Sequence, residues 1–575
     1  MWEIYFWVSV SILIIVGSGV IANRRKYVFY MLFGGVFISS VFMFLPLYLE
    51  MFQMQDFSVA KALLLSIQNT IRLFVVDGDF SFVVEYTENL KGWLRAWYQL
   101  LFALLFVVTP VLTSGLVLSF FKNVSAYILY WLHFFSDAYI FSELNEKSIE
   151  LAKDLKKNEK KRLIVFTEVY DANDELSYEL LEQAKNIGII AFKKDVTTIK
   201  FDFHSKKRKL TFFQMGEDEA ENVRQSLALI KCYQKRENTE IFVFAQNVES
   251  ELVFSATECG MVKVRRINET RALINRFLYN EGIKIFRGAK DGKISAVVVG
   301  MGGHGFEMTR ALPWFCQMDG YEIHVNAFDV DSQVSSHFHR QCPELMDSKH
   351  NGDFTTEGEA HYEVKIHARV DVWSDELLNE LYKLDEITYI FIALGDDESN
   401  IRMATELRTE FEKRGIHPQI DAIVCDATKI HALNGIKNYS GQEFDVYFIG
   451  DRKESYSEEV ILDSDVEEAA LARHLKWGKE EDFWKYEYNY RSSIASAIHR
   501  KMKIECGIPG ADQLPEEREE SARQALRVLE HRRWNAYMRA EGFTYAEKRN
   551  NLAKTHNCLV PFAELSEKDR EKDDD

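Results

Sequence analysis

Ile294-Ser-Ala-Val-Val-Val-Gly-Met-Gly-Gly-His-Gly305 is the stretch that decides the fold. A β-branched run, Val297 to Val299, passes directly into glycines at 300, 302 and 305, the G-x-G-x-x-G spacing of a buried strand that turns into a helix. Tyr321-Glu-Ile-His-Val-Asn-Ala-Phe-Asp-Val-Asp331 is strand-compatible and puts Asp329 about 24 residues past the last glycine. Each part has a physical role. Gly300 permits the tight turn, Gly302 and its neighbours Gly303 and His304 let backbone N–H groups approach a pyrophosphate, and Gly305 lets the helix lie close on its strand. Asp329 or Asp331 would accept from a ribose hydroxyl. The pattern predicts a nucleotide site.

Working outward, the 575 residues suffice for about three or four domains. Apolar residues, 47% overall, crowd the first 140 positions, so a membrane part and a soluble part are expected to be separate. A formal charge of -18 argues against a nucleic-acid polymer as partner, because phosphate-backbone binding relies on a basic face. The seven cysteines show no C-x-x-C pair and lie in the soluble part, as expected for reduced thiols. His337-Phe-His-Arg-Gln-Cys342 has the nearest thing to ligand spacing, and an ordinary polar loop is the expectation there, with no metal.

Three runs are long enough to cross a bilayer: residues 4–22, 27–49 and 97–121. Arg24-Arg25-Lys26 after the first run places its end, and with it the soluble bulk, on the cytoplasmic side. Ser58 to Val76 carries Lys61, Gln68, Asn69 and Arg72, which suits an amphipathic or re-entrant helix better than a fourth span. Leu63 to Phe80, with Val75-Val-Asp-Gly-Asp79, weakly resembles a pore loop, but the Thr-Val-Gly-Tyr-Gly filter is absent; a plain anchor is the other reading. Tyr127 to Phe141 is expected as an interfacial helix leading into a polar helix from Glu143 to Lys157.

Beyond Arg162, strands and helices alternate with short connections, which predicts parallel sheets covered by helices on both faces. Two copies of this layout follow one another. The first copy's opening turn is read as Thr167-Glu-Val-Tyr-Asp171, which has no glycine, so that copy is expected to pack or dimerise rather than bind. Phe213-Gln-Met-Gly-Glu-Asp-Glu-Ala-Glu-Asn222 and Ala393-Leu-Gly-Asp-Asp-Glu-Ser-Asn400 put acids and an asparagine at matching places, which indicates duplication.

Gly300-Met-Gly-Gly-His-Gly305, Asp329-Val-Asp331 and Gly395-Asp-Asp-Glu-Ser-Asn400 resemble the RCK/TrkA-N domain that regulates potassium channels and uptake systems. The resemblance covers residues 293–426 well and 162–276 less specifically. It implies a Rossmann fold, NAD or another adenine nucleotide as ligand, and assembly into dimers or larger rings. Gly395, Asp396 and Asn400 then join the glycine turn as cofactor-binding residues.

At the C-terminus, apolar residues Ala522, Ala525, Leu526, Leu529, Trp534 and Tyr537 recur at helical spacing. Glu530-His-Arg-Arg-Trp-Asn-Ala-Tyr537, Glu541-Gly-Phe-Thr-Tyr545 and Lys554-Thr-His-Asn-Cys-Leu-Val-Pro-Phe562 resemble the RyR domain, whose single prokaryotic copies look like sensors of nucleotide-derived signals. Trp534, Tyr537 or Tyr545 would supply an aromatic floor, with His531, Arg549, Lys554 and His556 nearby for a phosphate. The tail from Glu567 is a charge run expected to be solvated.

The expected architecture is a membrane α-helical N-terminus plus α/β: residues 1–142 in the membrane, doubly wound parallel-sheet Rossmann-like domains at 143–285 and 286–475, and a small, mostly helical RyR domain at 476–575. The expected function is a nucleotide-sensing membrane effector or ligand-gated channel, a multi-pass homo-oligomer (dimer or tetramer) of the inner membrane with cytoplasmic soluble domains. Its most specific form permeabilises that membrane in bacterial antiviral defence. The alternatives are a regulatory or anchoring subunit of a cation (potassium) transport system and an NAD-dependent oxidoreductase. Against the last, no Tyr/Lys or His/Asp arrangement can be placed beside a nicotinamide, so no catalytic residue is assigned.

Overall fold

The computed structural model of the chain describes residues 2–22, 28–52, 57–75, 77, 80–88, 90, 92–120, 124–133, 136–169, 175–202, 207–352, 354, 360–384, 386–433 and 445–574. Two compact units emerge, Met1–Leu132 and His133–Asp575.

Among its described residues the first unit is built of helices and short turns, with no strand. Two of its helices are long and apolar enough to cross a membrane, Leu32–Met51 and Trp93–Ser114, while the apolar stretch Trp2–Val16 is shorter. The helices Trp2–Ala22 and Val28–Met51 pack together, and Ser9 and Ser39 exchange hydroxyl-to-carbonyl hydrogen bonds across that contact. Hydroxyls that bond helix carbonyls in this way are satisfied without water. Ser58–Phe74 forms one helix that lays Ala62, Ser66, Thr70 and Leu73 inward and leaves Lys61, Gln68 and Arg72 exposed. The expected charges at Arg24, Arg25 and Lys26, and most of the 75–79 turn, lie outside the described residues.

The second unit holds two six-stranded parallel sheets. The first is built from β1 (Ala138–Phe141), β2 (Leu163–Phe166), β3 (Ile190–Ala191), β4 (Leu210–Gln214), β5 (Thr239–Phe244) and β6 (Lys263–Ile267), in the order β3-β2-β1-β4-β5-β6. The second uses β7 (Lys293–Val299), β8 (Glu322–Asp329), β9 (Tyr362–Ala368), β10 (Tyr389–Ile392), β11 (Gln419–Ile423) and β12 (Tyr447–Ile449), in the order β9-β8-β7-β10-β11-β12. Both are the doubly wound order, in which the chain adds strands to one side of its first strand and then to the other.

Residues 138–141, expected to end an interfacial helix, are instead the central strand of the first sheet; the helix before it stops at Leu132. Ala-Tyr-Ile-Phe is buried on both faces, and so lacks the alternation that marks a half-exposed strand. What holds it is a ladder of rings. Phe166, Phe141, Phe213 and Phe242 stack from strand to strand at 4.8, 4.8 and 5.0 Å. The first copy's opening turn is therefore residues 142–145, and Thr167 follows its second strand.

The matching asparagines occupy equivalent places. The Asn222 side chain accepts from Gly216 N–H at 2.8 Å and donates to Phe244 O at 3.1 Å, tying the turn after β4 to the end of β5. Asn400 repeats this, accepting from Leu394 N–H at 2.6 Å and donating to Ile423 O at 2.8 Å. Removing either side chain leaves buried backbone groups unpaired, so Asn222→Ala and Asn400→Ala should each cost about 1–3 kcal/mol in urea unfolding. A change under about half a kilocalorie per mole would deny the latch.

The C-terminal helices do not fold around a core of their own. Ile494, Ile498, Leu529, Tyr537 and Met538 share one hydrophobic cluster with Ile294, Val298, Leu312 and Phe315 of the second sheet and its first helix. Trp314 meets Tyr537 edge-on at 6.1 Å. The end of the tail is anchored as well: Asp574 accepts from Arg523 and Arg527, and Asp573 lies 3.1 Å from His531, so these two are docked on the helix Glu520–Ala540, while Glu567, Lys568, Glu571 and Lys572 of the expected solvated run are exposed. His337 to Gln341, expected as a loop, continue a helix from Val334 that buries Phe338 against Phe306.

Candidate nucleotide site

At the carboxyl ends of the second sheet's strands lies a cavity of about 470 Å³. Gly300, Gly302, Gly303, His304, Asp329, Gly395, Asp396 and Asn400 line it, so eight of the residues expected from sequence come together.

Two of the three fingerprint glycines are required by the backbone itself. Gly300 has φ +89°, and a Cβ there would meet Ala393 O at 2.4 Å. At Gly305 a Cβ would sit 1.8 Å from Gly300 O, so only glycine lets the helix approach its strand. Gly302 differs: a Cβ would meet nothing within 4 Å, because this position faces the open cavity. The helix Gly303–Phe315 begins there, and among the described residues no side chain caps its N-terminus. Its first N–H groups and dipole are directed at the cavity.

The equivalent place in the first copy is closed. There Asn145 caps the helix Glu146–Asn158, accepting from Lys147 N–H at 3.1 Å and Ser148 N–H at 2.9 Å, and Ser148 completes a capping box. Glu143 lies over Gly216 and accepts from Glu217 N–H at 3.3 Å. Burial pushes the Glu143 carboxyl above its ordinary value. A carboxamide of the chain itself thus occupies what would be the anion position, with the Glu143 carboxyl on the turn after β4.

Asp329 turns inward in the second copy, accepting from Met301 N–H at 2.6 Å and from Asp331 N–H at 2.8 Å. This fixes the glycine loop against β8 and leaves the carboxylate on the cavity wall. Asp331 is exposed and accepts from Gln333 N–H, so of the two acids Asp329 is the one at the cavity. Asp396 caps the helix Asp397–Glu412 through Ser399 N–H, a bond that holds its carboxyl below the usual range. Asp397 accepts from Cys425 and Asp426 N–H. The Asn400 amide is spent on the latch described above, which makes it a shaping residue of the wall.

Sequence reasoning missed one side of the cavity, formed by Val330, Asp371, Val372 and Trp373. Trp373 is 43% exposed, with the Arg402 guanidinium 4.6 Å from its ring centre. Val330 follows β8, and Asp371 to Trp373 follow β9, whose run Tyr362-Glu-Val-Lys-Ile-His-Ala368 alternates in hydrophobicity and would have revealed the strand. With Asp329, Asp371, Asp396 and Asp397 on its wall and no Lys or Arg among the described residues there, this cavity favours neutral hydroxyl-bearing groups over further negative charge.

The seven residues expected as a second site near the C-terminus have different surroundings. His531 bonds Val560 O at 2.8 Å and stacks on Trp534 at 5.7 Å, and Trp534 meets His556 edge-on at 4.9 Å. All three rings are packed among themselves. Burial lowers His556 to about 4, so that ring stays neutral. Tyr537 is core, against Trp314. Tyr545 is exposed, Arg549 bonds Asn551 and lies over Tyr488, and Lys554 donates to Glu541 O.

The helix that starts at the glycine turn also carries Glu307 and Arg310 into a buried group of charges. Arg271 donates to Glu541 at 3.1 Å and to Glu307 at 3.4 Å. Arg491 donates to Glu541 at 3.2 Å, Glu487 at 2.7 Å and Glu251 at 3.0 Å, and Arg266 pairs with Glu487 at 2.8 Å. These arginines and glutamates, from both sheets' flanks and the C-terminal helices, are thereby joined in one network. A scan against protein-family models finds no match for this chain, and a search of curated proteins finds none either.

Proposed function

We propose that this chain is a nucleotide-sensing membrane effector, with the ligand at the glycine turn of the second sheet. One observation carries the reading: of two equivalent helix N-termini, the first is capped by the chain's own Asn145, whereas the second is uncapped among the described residues and opens on a cavity. An adenine nucleotide, NAD included, fits the groups present. Asp329 would accept from a ribose hydroxyl, the N–H groups of Gly303 and His304 would meet a phosphate, and Val330 and Trp373 offer surfaces for a base.

The helix Gly303–Phe315 joins the site to the rest of the unit, since it packs on both Glu269–Glu281 and Glu520–Ala540. A ligand that favours one arrangement of those helices would shift the population toward it. In this reading the two apolar helices of Met1–Leu132, with the shorter Trp2–Val16, sit in the inner membrane, and the second unit is cytoplasmic. The RCK/TrkA-N-like and RyR-like segments then form a sensing assembly of two or four copies. Permeabilisation of the membrane on a nucleotide-derived signal is the output that unites these parts, and no catalytic step is assigned.

The test is dye release from liposomes holding the purified full chain. Release on addition of NAD, ADP or ATP, absent without nucleotide, is the expected result. Stabilisation by nucleotide without any release would point instead to a regulatory or anchoring subunit of cation transport. Steady consumption of the nucleotide would favour an enzyme.

A further inference from the structure

A second cavity, about 290 Å³, lies where the two sheets meet and shares His304 and Cys425 with the nucleotide cavity. Its wall includes Gln246 and Glu269, which follow β5 and β6, and Gly450 and Arg452, which follow β12. The carboxyl ends of strands from both sheets therefore face one space, the side on which open α/β sheets take ligands.

The two cavities differ in charge. Among the described residues, the glycine-turn cavity has four aspartates and no Lys or Arg on its wall. The junction cavity has three cations, Lys147, Arg276 and Arg452, and one carboxylate, Glu269. The uncapped N-terminus at Gly303 and His304 stands at the boundary between them. Each cation is held by a carboxylate: Lys147 by Glu269 at 2.8 Å, Arg452 by Glu146 at 2.7 Å and Arg276 by Glu454 at 2.6 Å. Of those partners Glu269 alone is on the wall, so three cationic groups and one carboxylate face the space.

We infer that the junction cavity receives the outer phosphates of a nucleoside di- or triphosphate whose sugar and base occupy the glycine-turn cavity. The inference rests on the nucleotide reading of that turn. A ribose satisfies the acid wall by donating hydroxyl protons, whereas phosphates beyond the one at the Gly303 and His304 N–H groups would be repelled there; past His304 they meet Lys147, Arg276 and Arg452. The closed first copy thereby gains a role, because through Lys147 it forms the wall against which the phosphates rest.

Isothermal titration of the full chain with adenosine, AMP, ADP, ATP and NAD tests this. Wild-type affinity should rise about tenfold or more from AMP to ATP, as expected for added hydrogen bonds to charged groups. In Lys147→Gln and Arg452→Gln that ratio should fall to about threefold, while adenosine binding is unchanged. Equal wild-type affinity for AMP and ATP, or an unchanged ratio in both variants, overturns the junction site and leaves the glycine-turn reading intact. If none of the five compounds binds, the nucleotide reading itself fails, and this inference with it. Should one variant unfold, the wild-type series still decides.

Discussion

In Gly302→Asp, nucleotide-dependent thermal stabilisation disappears while the ligand-free protein keeps its fold. The backbone at Gly302 has φ -63° and ψ -167°, which any residue adopts, and a Cβ would have open space. Aspartate is among the best residues at a helix start, and by bonding the N–H groups of the first turn it gains about a few tenths of a kcal/mol over glycine. Its carboxylate would occupy the phosphate position, much as Asn145 caps the first copy. The variant thus turns the second site into a copy of the first. At a ligand concentration about 100 times Kd, wild-type protein gains about 2.7 kcal/mol from binding, and the variant should gain none. Gly305→Ala is the contrast, because its methyl group has no room beside Gly300 O and should cost about 1–3 kcal/mol without ligand. Undiminished stabilisation of Gly302→Asp by nucleotide would move the site elsewhere.

The largest loss of stability is expected from Glu541→Gln. This residue accepts from both Arg271 and Arg491, and its side chain is 12% exposed. Burial alone would push its carboxyl up, but the two guanidinium groups outweigh that and hold it below the usual range. Glu487 is held down in the same way by Arg491 and Arg266. Removing the charge leaves two arginines short of a partner in a dry interior, at about 3–5 kcal/mol. Arg402→Ala, which breaks the exposed pair with Glu406, should cost less than about 1 kcal/mol. Urea unfolding measures both, and a Glu541→Gln cost as small as the surface control would show the network to be screened by water. Because the folded-state values of Glu541 and Glu487 are depressed, their contribution is complete above the unfolded value, near about pH 4.3, and is lost as pH falls through the folded ones. Glu307 runs the other way: burial raises it, so it takes up a proton earlier in the descent.

The second sheet was legible because its cues are local and each has one physical cause. Three glycines at fixed offsets behind a β-branched run admit few backbones, and an acid at the end of the next strand completes the pattern. Hydrophobicity was a poorer guide wherever a segment is buried on every side. Ala138–Phe141 follows an apolar run, shows no alternation, and merged with it; the cost was a misplaced opening turn for the first copy. The C-terminal residues illustrate a different limit. Spacing put Trp534, Tyr537 and Tyr545 near one another along the chain, yet Tyr537 points at Trp314 and into the shared core, a partner more than 200 positions away. Polar residues at the chain's end also misled, since Asp573 and Asp574 read as solvated until the arginines and histidine of a distant helix are brought to them.

Trp373 gives the molecule an optical reporter of its own. The indole stands at the cavity mouth with Arg402 on its ring, where an arriving purine would change its surroundings more than those of tryptophans sealed in the core. Emission followed in Trp373→Phe beside the parent protein would isolate that signal, so occupancy could be timed in milliseconds without a dye or a membrane.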